Sequence, residues 1–319
     1  MPELFPPIEP HASGMLNVGD GHEIYWEASG NPDGKAVVYL HGGPGSGCSV
    51  NQRRFFDPSI YNAVLFDQRG CGRSLPLVGD RCEDLATNTT AHLISDMEAL
   101  RELLGIERWT VVGLSWGSTL ALAYAQQYRE RVNEVLLVLV TSGSRDEVEW
   151  LTQGVARIFP ESWDRFTSFI PPEMNSMRPV DAYAAMLFDP DPLVRDGAAR
   201  HWCEWEDAHV SLTPGHTPNT RYDNPAFRLR FARLVTHYWS NDCFLEENQL
   251  RRGAAVLNGI PGVLVNGKFD VSGSPSVAWE IARDWTTSRY IVIDDAGHGG
   301  GESLRDAMLN VLSDFAHHS

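Results

Sequence analysis

Ser115 stands in Gly113-Leu114-Ser115-Trp116-Gly117, between the apolar run WTVV and the small-residue run STLALAYA. That setting predicts a sharp strand-to-helix turn, in which flanking residues without side chains let strand and helix pass close together and the hydroxyl is lifted clear of a sheet. The helix N-terminus then points at whatever charge develops beside it. The chemistry this permits is nucleophilic attack, but a neutral hydroxyl is a weak nucleophile and needs a base, with a further group to orient that base. His298, in Asp294-Asp295-Ala296-Gly297-His298, follows the apolar run SRYIVI and is the candidate base. Asp270, closing Asn266-Gly267-Lys268-Phe269-Asp270, is the candidate orienting carboxylate. Asp294 and Asp295 precede His298 too closely in one loop to approach its Nδ1 easily. The ten other histidines lack such a placement, and His317 and His318 sit at the end of the chain.

Acyl transfer also needs two donors aimed at the developing oxyanion. The backbone N–H of Trp116, next to the nucleophile, is one candidate, and Gly43 in His41-Gly42-Gly43-Pro44-Gly45 is the other. His41 belongs to that loop and is expected to brace it rather than to act as a base. In Asp67-Gln68-Arg69-Gly70-Cys71-Gly72-Arg73-Ser74, the charged side chains are expected to fix the shape of a neighbouring loop. Cys71 is set aside as a nucleophile because no histidine is placed in sequence to activate it.

The elements that must position these groups follow from hydrophobic pattern. HEIYWEAS (22–29) alternates like a half-buried strand, whereas AVVYLHGGPG and NAVLFDQRG (62–70) are continuous apolar runs ending in glycine. Such runs mark strands covered on both faces. TNTTAHLISDMEALRELLGI reads as a helix capped by Thr87 or Asn88 and closed at Gly105. VNEVLLVLV (132–140) is another strand. From 141 to 255 the apolar runs vanish and Trp, Phe, Pro and charged residues dominate, which predicts an inserted helical cap. The sheet rhythm returns with IPGVLVNGKFD, a helix around VAWEIARDW, the strand SRYIVID and a last helix, ESLRDAMLNVLSDFAHH. Strands alternating with helices predict a mostly parallel sheet wrapped on both sides.

Composition bounds the partners. A formal net charge of -16 repels nucleic acid and anionic membrane surfaces alike. Cys48, Cys71, Cys82, Cys203 and Cys243 are odd in number and form no CxxC pair, which suits a reducing compartment. With no basic leader before an apolar segment and no run of 18 apolar residues, a cytoplasmic location is expected.

LNVGDGHEIYWEASGNPDGKAVVYLHGGPGSG, FDQRGCGRS (66–74) and GLSWGSTLALAYAQ (113–126) together resemble the proline iminopeptidases, serine peptidases of the α/β-hydrolase fold, and the likeness runs nearly end to end. The resemblance implies an α/β fold with an eight-stranded, mostly parallel sheet, its core divided over 1–140 and 256–319 around a helical cap at 141–255. It implies Ser115 as nucleophile, Asp270 as acid, His298 as base, Gly43 and Trp116 as oxyanion donors, and no metal or cofactor. It also implies that cap carboxylates hold the free amino end of a small peptide or aminoacyl substrate. Glu206, in Trp202-Cys203-Glu204-Trp205-Glu206, matches the family position. A second family carboxylate is replaced by Val235, so Glu204 or Asp207 is expected to substitute for it. Asn266 replaces a common His and is expected to leave the acid in place. The implied activity is release of N-terminal proline through a prolyl-enzyme. An esterase, lactonase or amidase acting on a small metabolite would use the same triad, and a noncatalytic binding protein would keep only the cap cavity.

Overall fold

The computed structural model describes residues 3–79, 85–210, 212–213 and 215–317. Cys82 and His318 lie outside the described residues. Eight strands form one sheet: β1 (Ala12–Asn17), β2 (Glu23–Gly30), β3 (Lys35–Leu40), β4 (Tyr61–Phe66), β5 (Trp109–Leu114), β6 (Val132–Val138), β7 (Gly262–Gly267) and β8 (Ser288–Ile293). Their spatial order is β1-β2-β4-β3-β5-β6-β7-β8. β2 pairs antiparallel with β1 and β4, and every other pairing is parallel. β1 lies in the Pro-rich lead and carries no apolar run, because its side chains alternate between exposed and half-buried positions at the sheet edge.

The helices are α1 (Thr90–Leu103), α2 (Trp116–Gln127), α3 (Arg145–Thr152), α4 (Pro160–Ser168), α5 (Pro179–Met186), α6 (Pro192–Val210), α7 (Pro225–Ser240), α8 (Gln249–Arg252), α9 (Pro275–Asp284) and α10 (Glu302–Ala316). α1 begins one or two residues later than the pattern suggests. Its cap is Thr89, whose hydroxyl accepts from the His92 N–H at 3.4 Å, rather than Thr87 or Asn88. Leu93, Met97 and Leu100 of α1, with α2 and α9, cover one face of the sheet, while Leu304, Met308, Val311 and Phe315 of α10 cover the other. This double cover is why β3, β5, β6 and β7 read as unbroken apolar runs. Burying each Leu or Val side chain contributes on the order of 1.5–3 kcal/mol.

The insertion between β6 and β7 builds a core of its own. Phe166 stacks on Tyr183 and Trp205 at centroid distances of 4.5 and 5.2 Å, and Trp202, Val148 and Val235 fill in around them. α4, α5 and α7 each open on proline, whose fixed φ and missing N–H suit a first helical turn. Proline-rich texture and helical structure are therefore compatible here. Cys243, Leu250, Ala254 and Leu257 pack with α2 and the sheet, so we place the return to the core near 241, before the 255 that texture alone suggests.

The crossing of strand and helix at the centre of the sheet depends on two glycines. A Cβ on Gly117 would collide with the Leu40 carbonyl, and one on Gly113 with the Gly117 carbonyl. Gly117→Ala is expected to lower stability by about 1–3 kcal/mol through this overpacking, measured by urea denaturation. An unchanged midpoint would show that the crossing has slack.

Candidate active site

Ser115 sits between β5 and α2 at φ 55° and ψ -124°, a backbone conformation that side chains of L-residues rarely adopt. Its N–H is fixed by the Val138 carbonyl at 2.9 Å, and its hydroxyl rises above the carboxyl ends of the strands. There Oγ lies 2.8 Å from Nε2 of His298, which comes from the loop after β8. Nδ1 of His298 lies 2.9 and 3.0 Å from the two carboxylate oxygens of Asp270, in the loop after β7. Asp270 is 2% exposed and also accepts the N–H groups of Ser272 and Gly273 at 3.0 and 2.7 Å. An Nδ1–H directed at the carboxylate leaves the Nε2 lone pair facing the serine hydroxyl. The three groups expected from spacing thus meet at one edge of the sheet.

Asn266, at the end of β7, is fully buried and accepts the Val140 N–H at 3.2 Å while donating to the Gly273 carbonyl at 2.8 Å. It ties the Asp270 loop down from its far end and leaves the carboxylate on His298, as expected. Asp294 pairs instead with Lys268 at 2.9 Å, and Asp295 accepts from Ser303 at 2.8 Å.

Gly43 (φ 120°) and Trp116 both border Ser115, and among the described residues neither of their N–H groups meets a protein acceptor. The loop carrying Gly43 is braced from below. The Gln68 N–H donates to His41 Nε2 at 3.1 Å, so the ring proton lies on Nδ1 and is donated to the Gly42 carbonyl at 2.8 Å. The Gln68 side-chain amide donates to the His41 carbonyl at 3.0 Å and its oxygen accepts the Trp116 indole N–H at 2.9 Å. Burial holds His41 below the ordinary histidine range, which keeps it neutral in this brace. Gln68 was not singled out from sequence; only its membership of the 67–74 motif marked it.

That motif is scaffolding. Arg69 makes two bonds of 2.7 Å to buried Asp96 and a third, also 2.7 Å, to the Thr87 carbonyl. Arg73 bonds Asp67 at 2.7 Å and Glu27 at 2.9 Å, and Glu27 in turn receives Arg53 at 2.7 and 2.9 Å. Burial works against the Asp67 charge, yet the Arg73 guanidinium holds its carboxyl below the usual range. Cys71 does have a histidine near it, His41 Nε2 at 3.6 Å, contrary to the sequence argument. That nitrogen already accepts from Gln68, and burial pushes the thiol far up, so Cys71 remains an inert core residue.

The cap closes over Ser115 and leaves a cavity of about 830 Å³ that reaches His298, Glu206, Asp207 and Arg221. A recess of about 50 Å³ continues past Ser115 between Trp116, Val148, Leu151 and Trp239, with Glu206 at its wall. Glu206, on α6, accepts the Trp202 indole N–H at 3.1 Å and keeps its carboxylate largely buried. Glu204 does not join it. Two residues on a helix are about 200° apart, so Glu204 projects from the outer face, 54% exposed beside His201. Of the two stand-ins considered for the missing carboxylate, only Asp207 borders the cavity. Val235 is fully buried in the cap core. Glu147 also borders the recess, but Ser142, Ser144 and Arg251 already saturate its oxygens. Among the described residues, no group of three or more His, Cys, Asp or Glu is arranged to hold a metal ion, and no helix is long and apolar enough to cross a membrane.

A family model for the alpha/beta hydrolase fold matches residues 35–302, and the chain belongs to that family. It is 47% identical over 317 residues to a "Probable proline iminopeptidase" of Streptomyces coelicolor, covering 98% of each chain. It is 44% identical over 319 residues to a proline iminopeptidase of Xylella fastidiosa, covering 99% of this chain and 100% of the relative. Within the hydrolases, then, this chain belongs to the proline iminopeptidases. The crystal structure of a proline iminopeptidase from Mycobacterium smegmatis superposes with a TM-score of 0.60 at 17% identity, covering 96% of this chain and 99% of that one, a likeness of fold alone.

Burial opposes a charge on His298, but the Asp270 carboxylate in contact with it, helped by Glu206, raises its pKa above the ordinary 6.5. The stability this contact supplies is fully present below the unfolded value and is lost as pH rises through the higher folded value. In Asp270→Asn the attraction goes and the burial stays, so the His298 ring should titrate at lower pH than in the wild type. Ring-proton NMR titration measures this, and an unshifted midpoint would contradict Asp270 as the cause.

Proposed function

We propose that this chain is a serine aminopeptidase that releases N-terminal proline from peptides through a prolyl-enzyme intermediate, with Ser115, His298 and Asp270 as its triad. The observation that carries the reading is the unbroken contact from Asp270 through His298 to Ser115 Oγ, at 2.9 and 2.8 Å, opening beside a recess walled by Glu206. Ser115 Oγ attacks the prolyl carbonyl while His298 Nε2 takes its proton. The N–H groups of Gly43 and Trp116 receive the oxyanion in the tetrahedral state. His298 then gives the proton to the departing amine, and the peptide lacking its proline leaves. Water, deprotonated by His298, attacks the prolyl ester; the acyl–oxygen bond to Ser115 breaks, proline leaves, and His298 returns the proton to Ser115 Oγ. Asp270 fixes the imidazole tautomer throughout and stabilises the imidazolium.

Selectivity for a free N-terminus follows from the recess. Its apolar wall suits a pyrrolidine ring, and Glu206 supplies the negative charge that a protonated imino nitrogen needs when it is taken out of water. A longer chain on the amino side would have to pass through the cap. With valine at position 235, Glu206 is the carboxylate left to read that nitrogen, and Asp207 adds negative potential farther out in the cavity. The four described cysteines are free, which supports a reducing, cytoplasmic setting.

Ser115→Ala is expected to abolish turnover of proline p-nitroanilide, leaving at most about 10³–10⁴ over the uncatalysed rate, with substrate binding retained in equilibrium dialysis. Residual turnover near wild type would remove the serine from the mechanism. Glu206→Gln is expected to lower kcat/KM for proline p-nitroanilide by about 10²-fold, as for loss of one partner of a buried charge pair. It should spare short acyl esters that carry no amine. Equal losses on both substrates would contradict its assignment to the amino end.

A further inference from the structure

His209 follows Glu206 by three residues on α6, is 2% exposed and borders the same recess. Its Nε2 lies 3.4 Å from Glu206 Oε2 and makes no hydrogen bond among the described residues. Its Nδ1 lies 2.6 Å from the hydroxyl of Ser272. A bare ring nitrogen facing a carboxylate would be repelled, so the proton belongs on Nε2. In the neutral ring Nδ1 is then an acceptor, and the Ser272 hydroxyl donates to it at 2.6 Å in preference to the His209 carbonyl at 3.4 Å. The same Ser272 gives its backbone N–H to Asp270 Oδ1 at 3.0 Å. One residue of the core therefore serves two carboxylates: its amide holds Asp270, and its hydroxyl sets the tautomer through which His209 holds Glu206.

We propose that His209 is a positioning residue for the substrate's amino end, holding the Glu206 carboxylate toward the recess with an Nε2–H whose tautomer Ser272 dictates. The proposal rests on the assignment of Glu206 to the amine. The distance of 3.4 Å is longer than a formed hydrogen bond, so Glu206 Oε2 is steered by an electrostatic contact and retains capacity for a bound ammonium. Glu206 Oε1 is held independently by the Trp202 indole. Without His209 the carboxylate keeps one anchor and swings about it. The Nε2–H dipole of the neutral imidazole also offsets part of the cost of burying that carboxylate while the recess holds no cation from the substrate.

The test uses the full-length enzyme with His209→Ala, His209→Asn, His209→Gln and Ser272→Ala. Each is assayed for KM and kcat on proline p-nitroanilide, and for the rate at which a fluorophosphonate labels Ser115, a reaction that needs the triad but no substrate amine. His209→Ala and His209→Asn should raise KM about tenfold or more with labelling within twofold of wild type. His209→Gln, whose amide nitrogen reaches roughly as far as Nε2 and can donate, should restore most of the loss. Ser272→Ala should show a smaller rise in KM, because its backbone N–H to Asp270 remains. KM unchanged in His209→Ala, or glutamine no better than asparagine, overturns the proposal. So does labelling that falls in parallel with turnover, since that would mean general misfolding. A wild type that labels normally but leaves the prolyl substrate intact overturns the proline reading, and with it this one.

Discussion

At φ 55° and ψ -124°, Ser115 occupies a backbone region that costs a non-glycine residue on the order of 1–3 kcal/mol. The conformation persists because its surroundings allow no other. The Val138 carbonyl holds the Ser115 amide, and α2 runs so close beneath β3 that position 117 has no room for a side chain. This constraint aims Oγ above the sheet and leaves the Trp116 N–H without an intrahelical acceptor at the first turn of α2. It also fixes the plane in which the loops after β3, β7 and β8 must converge. A relaxed serine would lower Oγ toward the sheet and take it out of reach of His298.

Around that point the protein maintains charges at very different burial. The ion pairs of Asp67, Arg73, Glu27 and Arg53 lie beneath the loop of Gly43, where desolvation would make any unpartnered member costly. Their mutual saturation means they contribute shape and no free charge. Glu147 follows the same logic in the cap. Glu206 differs in being anchored at one oxygen and only loosely held at the other, and a carboxylate in that condition is fitted to receive a cation.

Much of this was legible in the chain. The glycines at 113 and 117 announce a crossing, and Asp270 and His298 stand at the ends of apolar runs, where a parallel sheet delivers its loops. Order along the chain was enough to single out Ser115, Asp270 and His298, which come into contact because the topology brings successive strand ends to one edge. What escaped notice depends on rotation about an axis and on contacts between distant segments. Glu204 and Glu206 look alike as letters, yet helical twist sends one to solvent and the other to the cavity. His41 and Cys71 are thirty positions apart and touch only once β3 and β4 pair. β1 left little trace because an edge strand exposed on alternate residues has no apolar run, and Ser272 read as an ordinary loop serine.

Glu206, proposed to read the substrate's amino end, belongs to α6, inside a unit with its own aromatic core, while Ser115, His298 and Asp270 belong to the sheet and its loops. On that reading, recognition and reactivity reside in two bodies with cores of their own that meet along the cavity and are tied by direct contacts such as His209 to Ser272 at 2.6 Å. A single-residue slip in the cap, turning α6 by about 100°, would exchange the side chain presented to the cavity while Ser115, His298 and Asp270 stayed on the sheet and its loops. With the two sets of side chains on different packing units, substitutions on α6 alter the cavity lining while the contacts among Ser115, His298 and Asp270 remain.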